Sequence, residues 1–270
     1  MPEGMLAGTP AYWRVDGDGA RSVMMLHCTM AHSGAWKGVM GRLADACTMV
    51  AMDLPGHGRS GPWDRGTSWQ RQSTDMVLEL LKHGDLPADL IGHSFGATVA
   101  LRIAVTHPEL VRSLTLIEPV FFSAAKDAGR AEYDDHRNLH KDFHDLLEAG
   151  DFPAAARAFN GMWGDGAAWD AMPERQRIYM TERIEMILEG GKSIWGDGPD
   201  YIPLTRVAGI TVPVLLIEGG ETDPVIPAIL DSLDAVLTTS KHVSIAGAGH
   251  MAPITHPAEV AAEIRDYFNF

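Results

Sequence analysis

The sequence has few of the features that mark secreted, membrane-spanning or nucleic-acid-binding proteins. It contains only 2 cysteines, so no disulfide framework is expected. No run of residues approaches the roughly 20 apolar positions that span a bilayer. Lys and Arg number 22 against 36 Asp and Glu, and the resulting net charge of −14 argues against nucleic acid or an anionic membrane as a partner. The segment from Met1 to Pro10 lacks a secretory signal pattern, so we expect a cytoplasmic protein.

Alternating strand and helix patterns indicate the fold class. Short apolar runs are followed by helical patterns in the manner of β-α-β units, which predicts an α/β fold with a mostly parallel, doubly wound sheet. The turn residues Asp16 to Gly19, which lie between the apolar runs Tyr12 to Val15 and Ser22 to Leu26, predict an antiparallel hairpin at the start of this sheet. The sequence, 46% hydrophobic, is long enough to bury one substantial core.

The alternation stops after Glu118-Pro119 and returns at Val212. From Phe121 to about Pro203 only helical patterns and Gly-Asp turns occur. We therefore expect a core domain formed by residues 1–119 and 204–270, with an inserted helical cap over 120–203 above the carboxyl ends of the strands, where ligands bind in open α/β sheets.

A G-x-S-x-G motif is the strongest chemical signal. A predicted strand from Ala88 to His93 enters Gly92-His93-Ser94-Phe95-Gly96, and a predicted helix from Phe95 to Thr106 leaves it. A sharp turn between strand and helix would expose the Ser94 hydroxyl at the end of the sheet as a nucleophile. The glycines at 92 and 96 suit the strained, closely packed backbone of such a turn.

Further polar residues follow other predicted strands. Asp223 comes after the apolar run Val212 to Ile217, and His250 comes after His242 to Ile245. A serine nucleophile needs an imidazole to accept its proton and a carboxylate to orient that imidazole, so we predict the triad Ser94, His250 and Asp223. The backbone amides of Phe95 and Thr29 are the expected oxyanion donors.

These segments resemble the α/β-hydrolase family over nearly the whole chain. The resemblance rests on Leu26-His27-Cys28-Thr29, Asp53-Leu54-Pro55-Gly56-His57-Gly58-Arg59-Ser60, Gly92-His93-Ser94-Phe95-Gly96, Asp223-Pro224-Val225-Ile226-Pro227 and Gly249-His250. It implies the esterase, lactonase and carbon–carbon hydrolase branch, with the order Ser, Asp, His and no cofactor. The family usually has His-Gly where this chain has His27-Cys28, and a side chain at 28 would narrow the oxyanion loop.

Several residues compete with or surround the predicted triad. Glu118 also ends a strand, and some family members carry their acid there, but we favour Asp223 because its Asp-Pro-Val-Ile-Pro setting matches the commoner site. For His27 and His32, a pocket role and a structural role are equally compatible with the sequence. Additional residues expected at the pocket are Cys28, Trp36, Glu118 and Met251.

The predicted cap contains histidines at a regular spacing. His136, His140 and His144 recur every four residues and would share one helical face, so a metal site is conceivable there. The Glu of an H-E-x-x-H motif is missing, and we expect these histidines to be solvated, with no metal site in the protein. The aromatic and methionine residues of the cap favour an uncharged or weakly polar acyl group.

Three functions are consistent with the sequence. The preferred one is a serine hydrolase that cleaves an ester, thioester or lactone of a small to medium apolar acyl group, acting on a small molecule. A carbon–carbon hydrolase or a cofactor-free perhydrolase would use a similar triad. A non-catalytic, ligand-sensing protein of the same fold is the third. The sequence does not indicate an oligomeric state.

Overall fold

Eight strands form one mostly parallel sheet in the computed structural model, which describes residues 3–198 and 200–269. Their order across the sheet is β1-β2-β4-β3-β5-β6-β7-β8, with antiparallel pairing of β1 with β2 and of β2 with β4, and parallel pairing elsewhere. The strands are β1 (Glu3–Leu6), β2 (Thr9–Asp16), β3 (Arg21–Leu26), β4 (Cys47–Met52), β5 (Ala88–His93), β6 (Val111–Ile117), β7 (Val214–Gly219) and β8 (Ser240–Ile245). The predicted fold class is confirmed.

Helices cover both faces of this sheet and fill the long connection after β6. Those of the core are α1 (Lys37–Leu43), α2 (Trp69–Leu81), α3 (Phe95–Thr106), α11 (Val225–Asp234), α12 (Ala252–Thr255) and α13 (Pro257–Phe268). Those between β6 and β7 are α4 (Phe122–Asp127), α5 (Ala131–Leu139), α6 (Lys141–Glu148), α7 (Phe152–Trp163), α8 (Glu174–Thr181), α9 (Met186–Ile194) and α10 (Leu204–Val207). Short 3-10 turns lie at Ser33–Trp36, Pro108–Leu110 and Trp169–Ala171.

The central strands are apolar on both faces. Along β3, Met24 and Leu26 belong to one core cluster, whereas Val23 and Met25 belong to the cluster on the opposite face. Successive side chains of a strand point to opposite faces, so a strand covered by helices on both sides reads as a continuous apolar run. This burial explains why the central strands could be predicted from the sequence.

The predicted hairpin between the second and third strands is wrong. β2 pairs antiparallel with the outer edge of β4, and β3 lies on the other side of β4. Because β3 takes parallel partners on both of its edges, it has no edge left for β2. The turn residues Gly17 and Gly19 instead pack against the backbone at Ala44 to Cys47, where a Cβ atom on either glycine would collide.

Among its described residues, the segment between β6 and β7 contains helices, turns and loops but no strand. Part of it has a core of its own, which includes Phe143, Leu147, Met180 and Ile184. We call the segment 120–203 the cap, in line with the sequence expectation, and the division into core and cap domains stays a prediction. Residues 1, 2, 199 and 270 of that division lie outside the described residues.

No helix within the described part of the chain is long and apolar enough to cross a membrane. Localisation in the cytoplasm stays a prediction of the sequence.

Candidate active site

Ser94 lies in a strained turn between β5 and α3. Its backbone has φ 55° and ψ −119°, a conformation that few residues other than glycine adopt. The amide of Ser94 donates to the Ile117 carbonyl of the neighbouring strand, and its carbonyl accepts from the Ala97 amide. These bonds anchor the turn from both sides, so that the side chain is held at the carboxyl edge of the sheet.

The two glycines of the motif are required by close packing. A Cβ atom on Gly92 would lie 2.4 Å from the Cα atom of Ala97, and one on Gly96 would lie 2.3 Å from the Leu26 carbonyl oxygen. The second contact brings the start of α3 against the end of β3. Any side chain at these positions would push the serine away from the loop that follows β3.

A hydrogen-bonded chain links Ser94 to His250 and then to Glu118. The Ser94 hydroxyl and His250 Nε2 are 3.0 Å apart, and His250 Nδ1 and Glu118 Oε2 are 2.9 Å apart. With the ring proton on Nδ1, the imidazole donates to the carboxylate and accepts from the hydroxyl. Glu118 is fully buried, and its carboxylate also accepts from the Gly219 amide and the Thr222 hydroxyl, each at 2.6 Å.

The expectation that Asp223 partners His250 is wrong in this structure. Asp223 Oδ1 accepts from the Val225 amide at the start of α11, and Oδ2 lies 3.0 Å from His136 Nδ1 and 3.2 Å from His140 Nε2. Both carboxylate oxygens are therefore engaged away from His250. Glu118 is positioned instead because it directly follows β6, the sheet neighbour of β5, and because its φ of 49° starts a sharp turn there.

Two buried histidines hold the loop that follows β3. His27 Nδ1 donates to the Cys28 carbonyl at 2.7 Å, and its Nε2 accepts from the Leu54 amide. His57 Nδ1 donates to the Pro55 carbonyl, and its Nε2 accepts from the Met30 amide. Burial lowers the pKa of His27 to about 4 and that of His57 to about 3, so both rings are neutral and can accept from amides.

The predicted oxyanion donors lie at the edge of this framework. Thr29 lines the same cavity as Ser94. Phe95 is the first residue of α3, where a backbone amide has no partner within the helix. Its ring stacks on Trp69 with 3.8 Å between centroids. The roles of Thr29 and Phe95 as oxyanion donors stay predictions of the sequence.

The backbone of Cys28 has an ordinary conformation, without the positive φ that glycine permits. Its side chain is buried, and burial raises the pKa of the thiol to about 12. A thiol of this kind stays protonated at neutral pH and is a poor nucleophile.

A cavity of about 840 Å³ opens onto Ser94 and His250. Of the residues expected at the pocket, Cys28, His32 and Met251 line this cavity. The cap contributes Phe159, Trp163, Met172, Tyr179 and Met180 to its wall. A smaller adjoining pocket of about 60 Å³ also reaches Ser94 and His250 and is lined mainly by apolar and aromatic side chains.

His27, Trp36 and Glu118 do not line either of these spaces. Trp36 is packed into the core on the face covered by α1 and α13, and His27 is fully buried as a loop-fixing residue. The expectation that Trp36 and Glu118 line the pocket is therefore wrong, and His27 has the structural role that the sequence analysis left open beside a pocket role. His93 donates through Nε2 to the His250 carbonyl at 2.8 Å and thereby holds the backbone of the loop that carries His250.

The cap histidines differ from the sequence expectation. His136 is buried and, with His140, contacts Asp223, so two of the three are not solvated residues on a free helix face. The sequence spacing placed them on one face, but no sequence signal indicated which core residue that face would meet. His144 instead packs edge-on against Trp195.

Residues 23–263 match the family model described as "Alpha/beta hydrolase family". The chain is 30% identical over 237 residues to a dihydrolipoyllysine-residue acetyltransferase component of an acetoin cleaving system from Cupriavidus necator, covering 87% of this chain and 60% of that protein. The chain thus spans less than two thirds of that relative.

Two further matches cover both partners almost completely. The chain is 27% identical over 263 residues to a pimeloyl-[acyl-carrier protein] methyl ester esterase of Yersinia pseudotuberculosis, which covers 95% of this chain and 96% of that one. The crystal structure of an alpha/beta hydrolase from Sphaerobacter thermophilus has a TM-score of 0.73 at 20% identity, with 99% and 100% of the two chains covered. At that identity, the structural match bears on the fold alone.

Proposed function

This chain belongs to the α/β-hydrolase family, and we propose that it is a serine hydrolase that cleaves esters, thioesters or lactones through an acyl-enzyme. The observation that carries the proposal is the chain of contacts from Ser94 to His250 to Glu118 beside an 840 Å³ cavity. The relative named an esterase supports ester hydrolysis as the reaction.

We assign the nucleophile to Ser94. As its oxygen attacks the substrate carbonyl, His250 Nε2 takes the hydroxyl proton, and the Glu118 carboxylate stabilises the imidazolium that forms. The amides of Thr29 and Phe95 would donate to the negative oxygen of the tetrahedral intermediate. The imidazolium then protonates the leaving group, and water repeats the sequence to release the acid.

The lining of the cavity suggests which part of a substrate lies where. The smaller pocket, with Phe122, Phe143, Trp163 and Trp195, suits an apolar acyl group. The larger cavity is also lined by four cationic residues, Arg14, Lys37, Arg59 and Arg175, which outnumber its two acidic ones, Asp53 and Asp165. In a chain of net charge −14, this grouping favours a leaving group that carries negative charge. The acyl group itself is expected to be uncharged, as the sequence predicts, and only the leaving group is expected to be anionic.

Labelling with a fluorophosphonate tests the proposed nucleophile. Such a probe reacts with an activated serine and not with an ordinary hydroxyl, so the wild type should be labelled at Ser94, and Ser94→Ala should not. Absence of labelling in folded wild type would favour the ligand-sensing alternative. A series of p-nitrophenyl esters graded by acyl length would then define the acyl preference.

The charge preference has its own experiment. Thioesters of one acyl group with coenzyme A and with the neutral N-acetylcysteamine share the reacting bond but differ in leaving-group charge. The proposal predicts a higher kcat/KM for the coenzyme A thioester, reduced selectively by Arg175→Gln. Equal values for both thioesters would remove the charge preference and leave the hydrolase assignment intact.

A further inference from the structure

A cluster of two histidines and one aspartate joins the cap to the core beside the candidate active site. His136 on α5, His140 just after α5 and Asp223 before α11 each offer one ligand atom, and these atoms all lie within 4.8 Å of one another. Within residues 3–198 and 200–269 it is the one group of this kind that could hold a metal ion. The cluster joins distant parts of the chain, because Asp223 follows His136 by 87 residues and His140 by 83.

We propose that His136, His140 and Asp223 bind one divalent transition-metal ion of the zinc type and thereby tie the cap to the loop after β7. Two imidazoles and one carboxylate form a donor set that zinc accepts in proteins. The site is distinct from the Ser94, His250 and Glu118 chain, and nothing in the proposed hydrolase reaction requires it.

The spacing of the ligand atoms suits such an ion. Asp223 Oδ2 lies 3.0 Å from His136 Nδ1 and 3.2 Å from His140 Nε2. Around zinc, bonds of about 2.0–2.1 Å to nitrogen or oxygen in tetrahedral geometry place ligand atoms about 3.3 Å apart. For these two pairs an ion requires outward shifts of only a few tenths of an ångström, and the two histidine nitrogens lie within 4.8 Å of each other.

The orientation of the two rings also favours an ion. Both imidazoles point a nitrogen at the same carboxylate oxygen, and in the absence of metal each must donate its proton to that one atom. When a metal ion binds, each neutral ring carries its proton on the other nitrogen and gives the cation a lone pair.

The three ligands are held in place by their neighbours. Asp223 Oδ1 accepts from the Val225 amide at 2.9 Å, which fixes the carboxylate plane. The His136 ring stacks on Phe122, with 5.1 Å between the ring centroids. The His136 side chain is 4% exposed, and the side chains of His140 and Asp223 are 15% and 16% exposed. A buried ligand beside two partly exposed ones leaves a route for an ion to enter. Such orientation by surrounding groups is typical of metal sites.

The two cap ligands also line the small pocket that reaches Ser94 and His250. A three-ligand site leaves a fourth position for water. Because the Trp163 ring lies 5.5 Å from His136 and 4.6 Å from His250, the ion would be separated from the general base by one indole. We expect the ion to stabilise the position of the cap rather than to enter the hydrolytic steps.

Metal titration of the purified full chain tests the proposal without any assay of hydrolysis. After treatment with EDTA and removal of the chelator, Co²⁺ should bind at one equivalent per chain, give visible ligand-field absorption, and quench the fluorescence of the nearby Trp163 and Trp195. Zn²⁺ should displace it and raise the melting temperature, because an ion that binds only the folded state stabilises it.

Variants separate the proposed site from weak binding by the acidic surface. Loss of an outer hydrogen-bond partner typically lowers metal affinity about 10–100-fold, so loss of a ligand in Asp223→Asn or His140→Gln should lower it at least about 100-fold. His144→Gln is the matched control, since His144 shares the helical spacing but is not in the cluster, and it should bind as the wild type does. Ser94→Ala should also bind normally, which distinguishes failure of this proposal from failure of the hydrolase assignment.

Two results would overturn the metal site. One is absence of one-equivalent binding by folded wild type at micromolar metal. The other is binding that Asp223→Asn and His140→Gln leave unchanged while both retain the circular dichroism of the wild type. In either case the cluster would be a set of hydrogen bonds between the cap and the core.

Discussion

Two carboxylate–histidine groups lie at the same end of the sheet, and they differ in what they connect. Glu118 and His250 both belong to core loops, and Glu118 is fully buried. Asp223 is partly exposed and contacts His136 and His140, which come from the cap. The first group lies within the core alone, whereas the second joins the cap to the core.

The comparison shows that an acid's place in the chain does not determine its partner. Asp223 follows the strand after which the family commonly carries its acid, yet the shorter aspartate is bound by the Val225 amide and the cap histidines. Partial burial alone would raise the pKa of Asp223, but hydrogen bonds from His136, Val225 and His140 outweigh it and hold the pKa well below its ordinary value. This carboxylate is therefore ionised and fully engaged.

The largest effect is expected from replacing Ser94, the proposed nucleophile that contacts His250 of the first group. Ser94→Ala should fold as the wild type does and lose on the order of 10⁴–10⁶-fold in kcat, because triad members act as a unit. Steady-state hydrolysis of a p-nitrophenyl ester measures the loss. Thr98→Ala, on the buried face of the same helix, serves as a control for damage to α3. Activity above a tenth of the wild-type value would exclude Ser94 as the nucleophile.

The next effect compares the two acids directly. Glu118→Gln should lower kcat on the order of 10²–10⁴-fold, because an amide cannot stabilise the imidazolium and favours the wrong tautomer of His250. Asp223→Asn should lower kcat by less than about tenfold, since it acts only through the position of the cap. Both exchanges preserve shape, and both variants are assayed with and without added Zn²⁺. The reverse ranking would return the catalytic acid to Asp223.

The residues of the candidate site differ in how well the sequence predicts their contacts. The contact between Ser94 and His250 could be predicted because the G-x-S-x-G turn and the Gly-His loop are local patterns that directly follow predicted strands. The acid could not, because the choice between Glu118 and Asp223 depends on how far each side chain reaches and on which cap residues meet it. Neither property is encoded within a few residues of either acid.

The fold shows the same division. Strand β5 and helix α3 begin and end where the sequence patterns predict, because burial on both faces of the sheet leaves an unambiguous apolar run. The pairing of β2 with β4 was missed because the turn at Gly17 resembles a hairpin turn. The true partners lie 33 to 39 residues further along the chain, from Asp16 with Met49 to Trp13 with Met52. Strand pairing between distant segments is a property of the whole sheet.

Acid should lower the stability of the fold over two pH ranges, one set by three buried histidines and the other by Asp223. Burial lowers the pKa values of His27, His57 and His93 to about 4, 3 and 3, below an unfolded value near 6.5. Above pH 6.5 the three histidines are neutral in both the folded and the unfolded state, so they do not lower the free energy of unfolding. As the pH falls from 6.5 towards 4, the unfolded state binds protons that the folded state excludes, and each histidine lowers the free energy of unfolding by up to about 1.4 kcal/mol per pH unit.

Urea unfolding between pH 8 and pH 4.5 measures this slope. The loss should begin near pH 6.5, whereas the depressed pKa of Asp223 adds a loss only below about pH 4, where its unfolded carboxyl binds protons. His57→Gln should flatten the slope between pH 6.5 and 4.5, and His83→Gln at an exposed position should leave it unchanged. A stability that stays constant down to pH 5 would contradict the neutral, buried state of the histidines.

The smallest expected effect concerns Cys28, which stands where the family usually has glycine. Its backbone has no positive φ, its thiol is buried, and burial raises the thiol pKa to about 12, so the side chain fills space beside the oxyanion loop rather than reacting. Cys28→Ala should retain ester hydrolysis within about threefold, because the loop is held by His27 and His57 rather than by sulfur. Cys47→Ala is the matched control, since Cys47 is equally buried but lies on β4 within the core. A loss in Cys28→Ala as deep as that in Ser94→Ala, with folding intact and Cys47→Ala active, would show that the thiol takes part in the reaction.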